Sequence, residues 1–174
     1  MSSVVISGDT SGTCTLQAPA VAGSTVLTLP ATSGTVMVNG PAFSAGFAGS
    51  QTVTAGVLTK LIWDTEEYDT NNNFASNRFT PTIAGYYQIN VSVYTSTASV
   101  NQSLYIYKNG IAYKQICYQP GATQWLMWGG SLLVYCNGSS DYIEIYMSMQ
   151  TGGILGNNAG TTYNYFQAFL ARSA

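Results

Sequence analysis

The chain has 174 residues, of which only 7% are charged, and it carries a net charge of −2 with no histidine. This balance excludes a surface that attracts nucleic acid or an anionic membrane, and the lack of histidine excludes a Ser-His-Asp triad. A surface this poor in charge is weakly protected against self-association, so we expect an oligomer. Thirteen tyrosines and eighteen glycines predict β-structure with many tight turns.

Residues 1–40 differ from the rest, because they contain one acid, Asp9, no base and no aromatic residue. Apolar stretches at 20–29 and 35–38 are separated by Pro30 and Gly34. We expect short strands that order against partner chains, as an anchor or stalk, although the composition also fits a flexible tether. Residues 41–174 would then form a separate head domain.

The start of the chain lacks a basic region followed by an apolar core, so we expect no secretory signal. No run of 18 apolar residues exists, which argues against membrane insertion. In a reducing cytosol we expect Cys14, Cys117 and Cys136 to be buried thiols. If the strands of Cys117 and Cys136 are neighbours, a disulfide between these two residues is the alternative.

From Gly40 onward the sequence predicts a succession of strands and no amphipathic helix. Asn109-Gly110 separates YIYK from IAYK and is a strong signal for a two-residue hairpin turn. Asn137-Gly138 predicts a second turn. Eight to ten antiparallel strands in this length indicate an all-β fold, a jelly-roll β-sandwich preceded by an extended β-prone segment. The predicted strands are 41–47, 57–63, 77–80, 85–95, 103–108, 111–118, 124–135, 142–150 and 163–171.

Several strands alternate with a period of two, as half-buried strands do. Three strands carry a stripe of alternate apolar residues that is predicted to point into the core. These stripes begin at Tyr87, Ile143 and Phe166. The opposite faces also carry aromatic side chains, whereas a monomeric sandwich should show one polar face. Tyrosine offers large rigid contact area with a polar tip, so these faces suggest an interface.

The segments PAFSAGF, NNNFASNRFTPTIAGYYQINV, LYIYKNG, SLLVYCNGSSDYIEIYM and YFQAFLAR occur in this order across residues 41–172. In that order they resemble the globular head of the complement-q and tumour-necrosis-factor jelly-roll superfamily. The resemblance implies a compact homotrimer packed through aromatic residues near a three-fold axis. It places Tyr86, Tyr142, Tyr146 and Phe169 near that axis.

Residues 13–38 resemble segments that precede such heads in structural proteins of tailed bacteriophages. This resemblance implies a virion protein assembled in the cytoplasm of a bacterial host, attached to capsid or tail proteins through residues 1–40. We expect a capsid decoration (cement) protein or head fibre on the outer surface of the particle. The alternative is a short tail-fibre tip that binds a host glycan or surface protein.

Four of the seven acids cluster at Asp64, Glu66, Glu67 and Asp69. Carboxylates on a loop could bind Ca²⁺ with the oxygens of Asn71–Asn73, but no EF-hand spacing is present, so a solvated acidic rim is expected and no cofactor is predicted. Same-face strand neighbours approach the separation of a glycosidase pair. Nothing else in the sequence indicates a sugar cleft, so we expect no enzyme.

Two further features are candidates for recognition. Trp125 and Trp128 have opposite parity, so one should lie in the core and the other at the trimer edge, unless it is exposed to stack on a sugar. The Gly/Asn-rich loop 151–162 should project from one end of the sandwich, where loops often carry recognition. Its candidate contact residues, with the hydrophobic pair expected to be exposed, are Ile154, Leu155, Asn157 and Asn158.

Overall fold

The computed structural model describes residues 3–17, 20–21, 23–24, 26, 40–121, 126–156 and 161–174. The chain divides into two compact units, Met1–Gly34 and Thr35–Ala174. The predicted boundary at residue 40 stays a prediction, because residues 27–39 lie outside the described set. Within the described residues there is no helix, and therefore none that could cross a membrane.

The first unit contains one antiparallel hairpin, formed by β1 (Ser3–Ser7) and β2 (Thr13–Gln17). The Gly8 N–H donates to the Gly12 carbonyl at 2.9 Å and closes the loop, and Gly12 adopts φ +78°, which favours glycine. The sequence predicts further strands at 20–29 and 35–38. Most of that region lies outside the described residues.

The second unit contains thirteen strands among its described residues. They are β3 (Ala42–Gly46), β4 (Gln51–Val53), β5 (Thr59–Lys60), β6 (Thr65–Asp69), β7 (Phe74–Ala75), β8 (Arg78–Phe79), β9 (Gly85–Thr95), β10 (Gln102–Lys108), β11 (Ile111–Gln119), β12 (Leu126–Cys136), β13 (Ile143–Met149), β14 (Gly153–Leu155) and β15 (Tyr165–Ser173).

These strands form two antiparallel sheets. The seven-stranded sheet has the order β4-β14-β9-β15-β3-β6, with β12 also paired to β9. The six-stranded sheet has the order β11-β10-β13-β8-β7, with β5 also paired to β13. Neighbours in both sheets are often distant in sequence, as expected for a jelly roll rather than a simple meander.

Both sheets contribute alternate residues to one core. On the seven-stranded side, Tyr87, Ile89, Val91 and Val93 are buried. The stripe from Ile143 to Met149 is buried from the six-stranded side, and so are Phe166, Ala168 and Leu170 of β15. The three predicted inward stripes are therefore confirmed. Aromatic rings fill the space between them: Phe43 packs within 4.7–4.9 Å of Phe74, Phe79 and Phe166, measured between ring centroids.

The predicted all-β jelly roll is confirmed, with differences at the short elements. The strand predicted over 57–63 is longer than the observed strand β5, since only Thr59–Lys60 pairs with β13. The predicted set lacks four short strands of two to five residues, which are β4, β6, β7 and β14. Segments this short show too little alternation to be distinguished from loops.

Both predicted turns are confirmed. Asn109 and Gly110 adopt φ +56° and +76° between the paired residues Lys108 and Ile111, as a two-residue hairpin turn requires. After β12, the side-chain Oδ1 of Asn137 accepts hydrogen bonds from the backbone N–H groups of Ser139, Ser140 and Asp141.

Candidate functional site

The outer surface of the seven-stranded sheet, called here the seven-stranded face, is formed by the alternate residues of β3, β9, β12 and β15 that point away from the core. Strand register aligns these residues in rows: Tyr135 is opposite Tyr86, while Leu133 and Phe169 flank Gln88. Five of the exposed large side chains of the described residues lie on this face. They are Tyr86, Met127, Leu133, Tyr135 and Phe169.

A polar row crosses the middle of the seven-stranded face. Ser44, Gln167, Asn90 and Ser131 are aligned across four neighbouring strands. Gln167 Nε2 donates to Ser44 Oγ at 3.0 Å, and Ser44 Oγ donates to Glu67 Oε2 at 2.6 Å. The row is uncharged except at its Glu67 end, and it lies between two groups of apolar and aromatic side chains.

A depression of about 420 Å³ lies beside this row. Gly129 contributes no side chain to its floor, Met127 and Tyr165 form apolar walls, and Asn90 and Gln167 supply amide groups. A protruding side chain of another molecule could enter it. Such mixed apolar and neutral polar surfaces are typical of protein interfaces, whose cores are depleted of charge.

The opposite outer surface, called the six-stranded face, is dominated by an ionic cluster. Glu144 is almost fully buried, and its Oε1 lies 2.6 Å from Lys60 Nζ and 3.0 Å from Arg78 Nη2. Lys60 Nζ also donates to the Ser76 carbonyl at 3.0 Å. The buried carboxylate is therefore paired twice within its own chain.

Tyrosine rings surround this cluster. Tyr107 and Tyr146 stack with centroids 4.0 Å apart, and the Arg78 guanidinium lies 4.0 Å from the centroid of the Tyr142 ring. Burial, followed by the nearby charge of Glu144, raises the pKa of Tyr146 above its ordinary value. The rings thus serve the packing of the cluster and are only partly available to a partner.

The structure separates the four residues predicted to line a three-fold axis. Tyr86 and Phe169 lie on the seven-stranded face and are exposed, whereas Tyr142 and Tyr146 lie on the six-stranded side. The two pairs are on opposite sides of the core, so they do not form one continuous patch. Because each interface of a three-fold trimer joins two different patches, the placement of these four residues at the interface stays a prediction. Sequence reasoning missed Leu133 and Tyr135, because both stripes of β12 contain apolar residues and only its pairing with β9 distinguishes them.

The acidic cluster is distributed along the edge strand β6. Asp69 accepts hydrogen bonds from the backbone N–H groups of Asn71 and Phe74 and so closes the following loop. The shorter of the two hydrogen bonds, from Phe74, is 2.7 Å long. Glu67 accepts from Ser44, while Asp64 and Glu66 are exposed. Within the described residues, no three His, Cys, Asp or Glu side chains converge as metal ligands would.

The predicted recognition loop is partly a strand. Ile154 is exposed, but the prediction that Leu155 is also exposed is wrong: β14 pairs with β4 and β9 and turns Leu155 into the core. Asn157 and Asn158 lie outside the described residues. Of this loop, the described part therefore offers Ile154 as a contact residue.

Of the two tryptophans, Trp128 lies in the core and donates from Nε1 to Thr95 Oγ1 at 3.0 Å, while Trp125 lies outside the described residues. All three cysteines are free thiols. Cys136 is buried and Cys117 is half-buried, but Cys14 is exposed in the single chain, which corrects the expectation that all three are buried. Burial raises the pKa of the Cys136 thiol to about 11.

A separate ion pair, between Lys108 and Asp141, stabilises one end of the sandwich. Asp141 Oδ2 lies 2.9 Å from Lys108 Nζ, and Asp141 Oδ1 accepts from Asn109 Nδ2 at 2.7 Å. Burial raises the pKa of Asp141, but the hydrogen bonds from Asn109, Lys108 and the Asn137 backbone outweigh it, so the pKa lies below its ordinary value. This pair ties the Asn109-Gly110 turn to the start of β13.

Comparison with solved structures shows where this arrangement of sheets occurs. The chain is similar to the globular domain of the zebrafish complement 1qA protein, with a TM-score of 0.59 and 16% identity over 77% of this chain and 99% of that one. Murine APRIL gives 0.59 and 7% identity, over 76% and 99%. The PRD1 vertex protein P5 gives 0.51 and 18% identity, over 74% and 93%.

No family model and no curated protein sequence matches the chain. At identities this low, the similarities establish the fold alone. The chain therefore has a jelly roll of the complement-q and tumour-necrosis-factor type. Because a fold alone does not define a function, a proposal about the function of this chain has to rest on its exposed surfaces.

Proposed function

We propose that this chain is a structural protein of a bacteriophage virion, a homotrimeric capsid decoration or head-fibre protein on the outer surface of the particle. The observation that carries the proposal is the seven-stranded face. It exposes large apolar and aromatic side chains around a neutral polar row in a chain with very few charges. Monomeric proteins rarely leave such a patch uncovered.

The trimer is the first step of this proposal. Tyr86, Leu133, Tyr135 and Phe169 supply apolar contact area, and the polar row supplies hydrogen-bonding groups that fix its register. Symmetric homo-oligomers bury the same surface of every copy. The superfamily that the sequence resembles forms homotrimers, and three copies around one axis would cover the seven-stranded face of each.

The location on a virion is the second step. One structure of similar fold is the vertex protein P5 of PRD1, a phage protein, and it spans most of this chain. The segment 13–38 resembles phage attachment segments. In this proposal residues 1–40 join the head to capsid proteins, and the jelly roll projects outward without any catalytic role.

A tail-fibre tip that binds a host surface glycan or protein is the second candidate. Ile154 is an exposed hydrophobic residue on the short strand β14, and Tyr163 is exposed in the turn before β15. In this version residues 1–40 would bind tail proteins instead. Purified trimer added in excess would then reduce adsorption of the phage to its host.

Cryo-electron microscopy of intact virions that carry this chain tests the location. The proposal predicts trimeric density on the capsid surface. Density only at the tail would replace it with the second candidate. Deleting residues 1–40 should leave a soluble trimer that no longer joins the particle, and a truncated trimer that still joins would contradict the role given to that segment.

A further inference from the structure

The N-terminal hairpin, residues 3–17, has one apolar face, whose described side chains are exposed. Its register aligns Val4 with Leu16 and Ile6 with Cys14. Because paired residues of an antiparallel ladder lie on the same side, these four side chains form one surface, called here the apolar hairpin face. Val4, Ile6 and Leu16 are 61%, 55% and 56% exposed.

The other face of the hairpin is polar. It carries Ser3, Ser7, Thr13, Thr15 and Gln17, with Val5 as its one apolar residue. The only charged residue of the segment is Asp9, in the loop between the strands. One face of the hairpin is therefore apolar and the other is polar. The apolar face carries no charge that would repel the same face of another copy.

An isolated two-stranded hairpin is marginally stable in water, because it has no second layer to cover its apolar side. The apolar hairpin face therefore needs an occupant in the assembled protein. Its size limits what that occupant can be. Five-residue strands are roughly 17 Å long, so one face of the hairpin covers only on the order of 200 Å².

A separate partner protein would need about four times that area, since a stable interface buries about 800 Å² on each side. A second copy of this chain does not have this limitation. Copies that a trimeric head already holds together face one another at a high effective concentration, so a small contact is enough. The absence of charge on the face also removes like-charge repulsion between copies.

We propose that the apolar hairpin faces of three copies pack against one another around a common axis, as the start of a stalk. This inference rests on the trimer of the proposed function, and it deepens the role given there to residues 1–40. It leaves the polar faces of the hairpins directed outward. It also brings the three Cys14 thiols close together, whereas Thr15 of each copy points away from the axis.

Cross-linking of the full-length chain at low micromolar concentration tests the inference. A short bismaleimide is added to the reduced protein, and the products are separated on a denaturing gel. The Cys14→Ser variant reports the background from Cys117 and Cys136. The matched variant Cys14→Ser/Thr15→Cys moves the thiol to the polar face of the same strand. The mass of each variant before cross-linking is measured by light scattering.

Wild-type protein should form covalent dimers in up to about two thirds of its chains, because one reagent molecule joins two of three symmetric thiols. The Cys14→Ser/Thr15→Cys variant should form covalent dimers about tenfold more slowly than wild type, because its thiols are not held at the same effective concentration. A trimer in which both positions cross-link equally, or in which neither does, would overturn the inference and leave the trimer standing. A monomer by light scattering would overturn both.

A pair of charged variants gives a second readout that does not depend on the position of the thiol. Ile6→Asp places a carboxylate on the apolar hairpin face, and Val5→Asp places one on the polar face. We expect Ile6→Asp to lower dimer formation at Cys14 to the level of the Cys14→Ser background, and Val5→Asp to leave it within about twofold of wild type. Equal effects of the two variants would contradict the proposed packing.

Discussion

The two outer faces of the sandwich satisfy their polar groups in different ways. On the six-stranded face, the buried carboxylate of Glu144 is paired with Lys60 and Arg78 of the same chain. The seven-stranded face has no such cluster among its described residues, and it exposes Leu133 and Phe169 beside a neutral polar row. A face that is internally satisfied can remain in water, whereas the other gains free energy when a partner covers it.

This difference shows that aromatic content alone does not distinguish the two faces. Both faces carry tyrosines, and Tyr142 and Tyr146 were predicted interface residues for that reason. In the structure their rings pack against Arg78 and Tyr107. What distinguishes the seven-stranded face is that its exposed large side chains flank a neutral polar row, whereas the other face holds a buried ion-pair cluster.

The largest expected effect comes from a charge on the seven-stranded face. Leu133→Asp should convert the trimer to a monomer at micromolar concentration, because each interface would bury an unpaired carboxylate at a cost of several kcal/mol. The matched control is Ile111→Asp, which changes an exposed aliphatic residue on β11 of the other sheet. Sedimentation velocity distinguishes the two. A monomeric Ile111→Asp with a trimeric Leu133→Asp would reverse the comparison.

A smaller effect is expected from breaking the ionic cluster. Glu144→Gln leaves Lys60 and Arg78 without their shared carboxylate, and we expect the free energy of unfolding to fall by about 2 kcal/mol, discounted for the partial exposure of both cations. Urea unfolding at one fixed protein concentration measures it. The variant should remain a trimer, and its dissociation would place the interface on the six-stranded face.

Tyr146→Ala tests the predicted interface residue directly. Removing the ring eliminates the stack with Tyr107, and aromatic pairs contribute about 1 kcal/mol beyond their buried area. We expect a loss of stability in urea of at least this size, because the buried area of the ring is lost as well, and an unchanged sedimentation coefficient. Tyr86→Ala is the matched variant on the seven-stranded face and should weaken the trimer instead. Dissociation caused by Tyr146→Ala alone would place the interface on the six-stranded face, as the prediction for Tyr146 has it.

The smallest effect concerns pH. The pKa of Asp141 is lowered in the folded state, so its contribution to stability is present above its unfolded value of about 3.8 and is lost as the pH falls below that value, through the folded pKa. Asp141→Asn carries no titrating carboxylate and should lose less stability on acidification, by under about 1 kcal/mol. Thermal unfolding from pH 5 downward measures the difference, and parallel curves for the two proteins would contradict it.

Much of the fold was predictable because the long strands have a clear period. The stripe that begins at Tyr87 and the stripe that begins at Ile143 each alternate over seven residues or more, and Asn109-Gly110 marks a turn through its positive φ values. The edge strand β6 was missed because its sequence, TEEYD, has the charges of a loop. Its pairing with β3 comes from tertiary contacts that a local pattern does not contain.

The candidate site was less predictable, because it depends on register between strands distant in sequence. Met127, Leu133 and Tyr135 share one side of β12 by alternation, but only the pairing of β12 with β9 places that side beside Tyr86. Leu155 was assigned to an exposed loop because its neighbours are glycines, but β14 places it in the core. Alternation shows which residues share one side of a strand, and long-range pairing decides which sides meet.

The mass of the purified full-length chain in solution tests the central claim most directly. Sedimentation equilibrium at low micromolar concentration should give three times the chain mass of 18.5 kDa, because the seven-stranded face is covered by other copies. A mass of one chain at that concentration would contradict the claim, since it would show that the exposed side chains of this face remain in water.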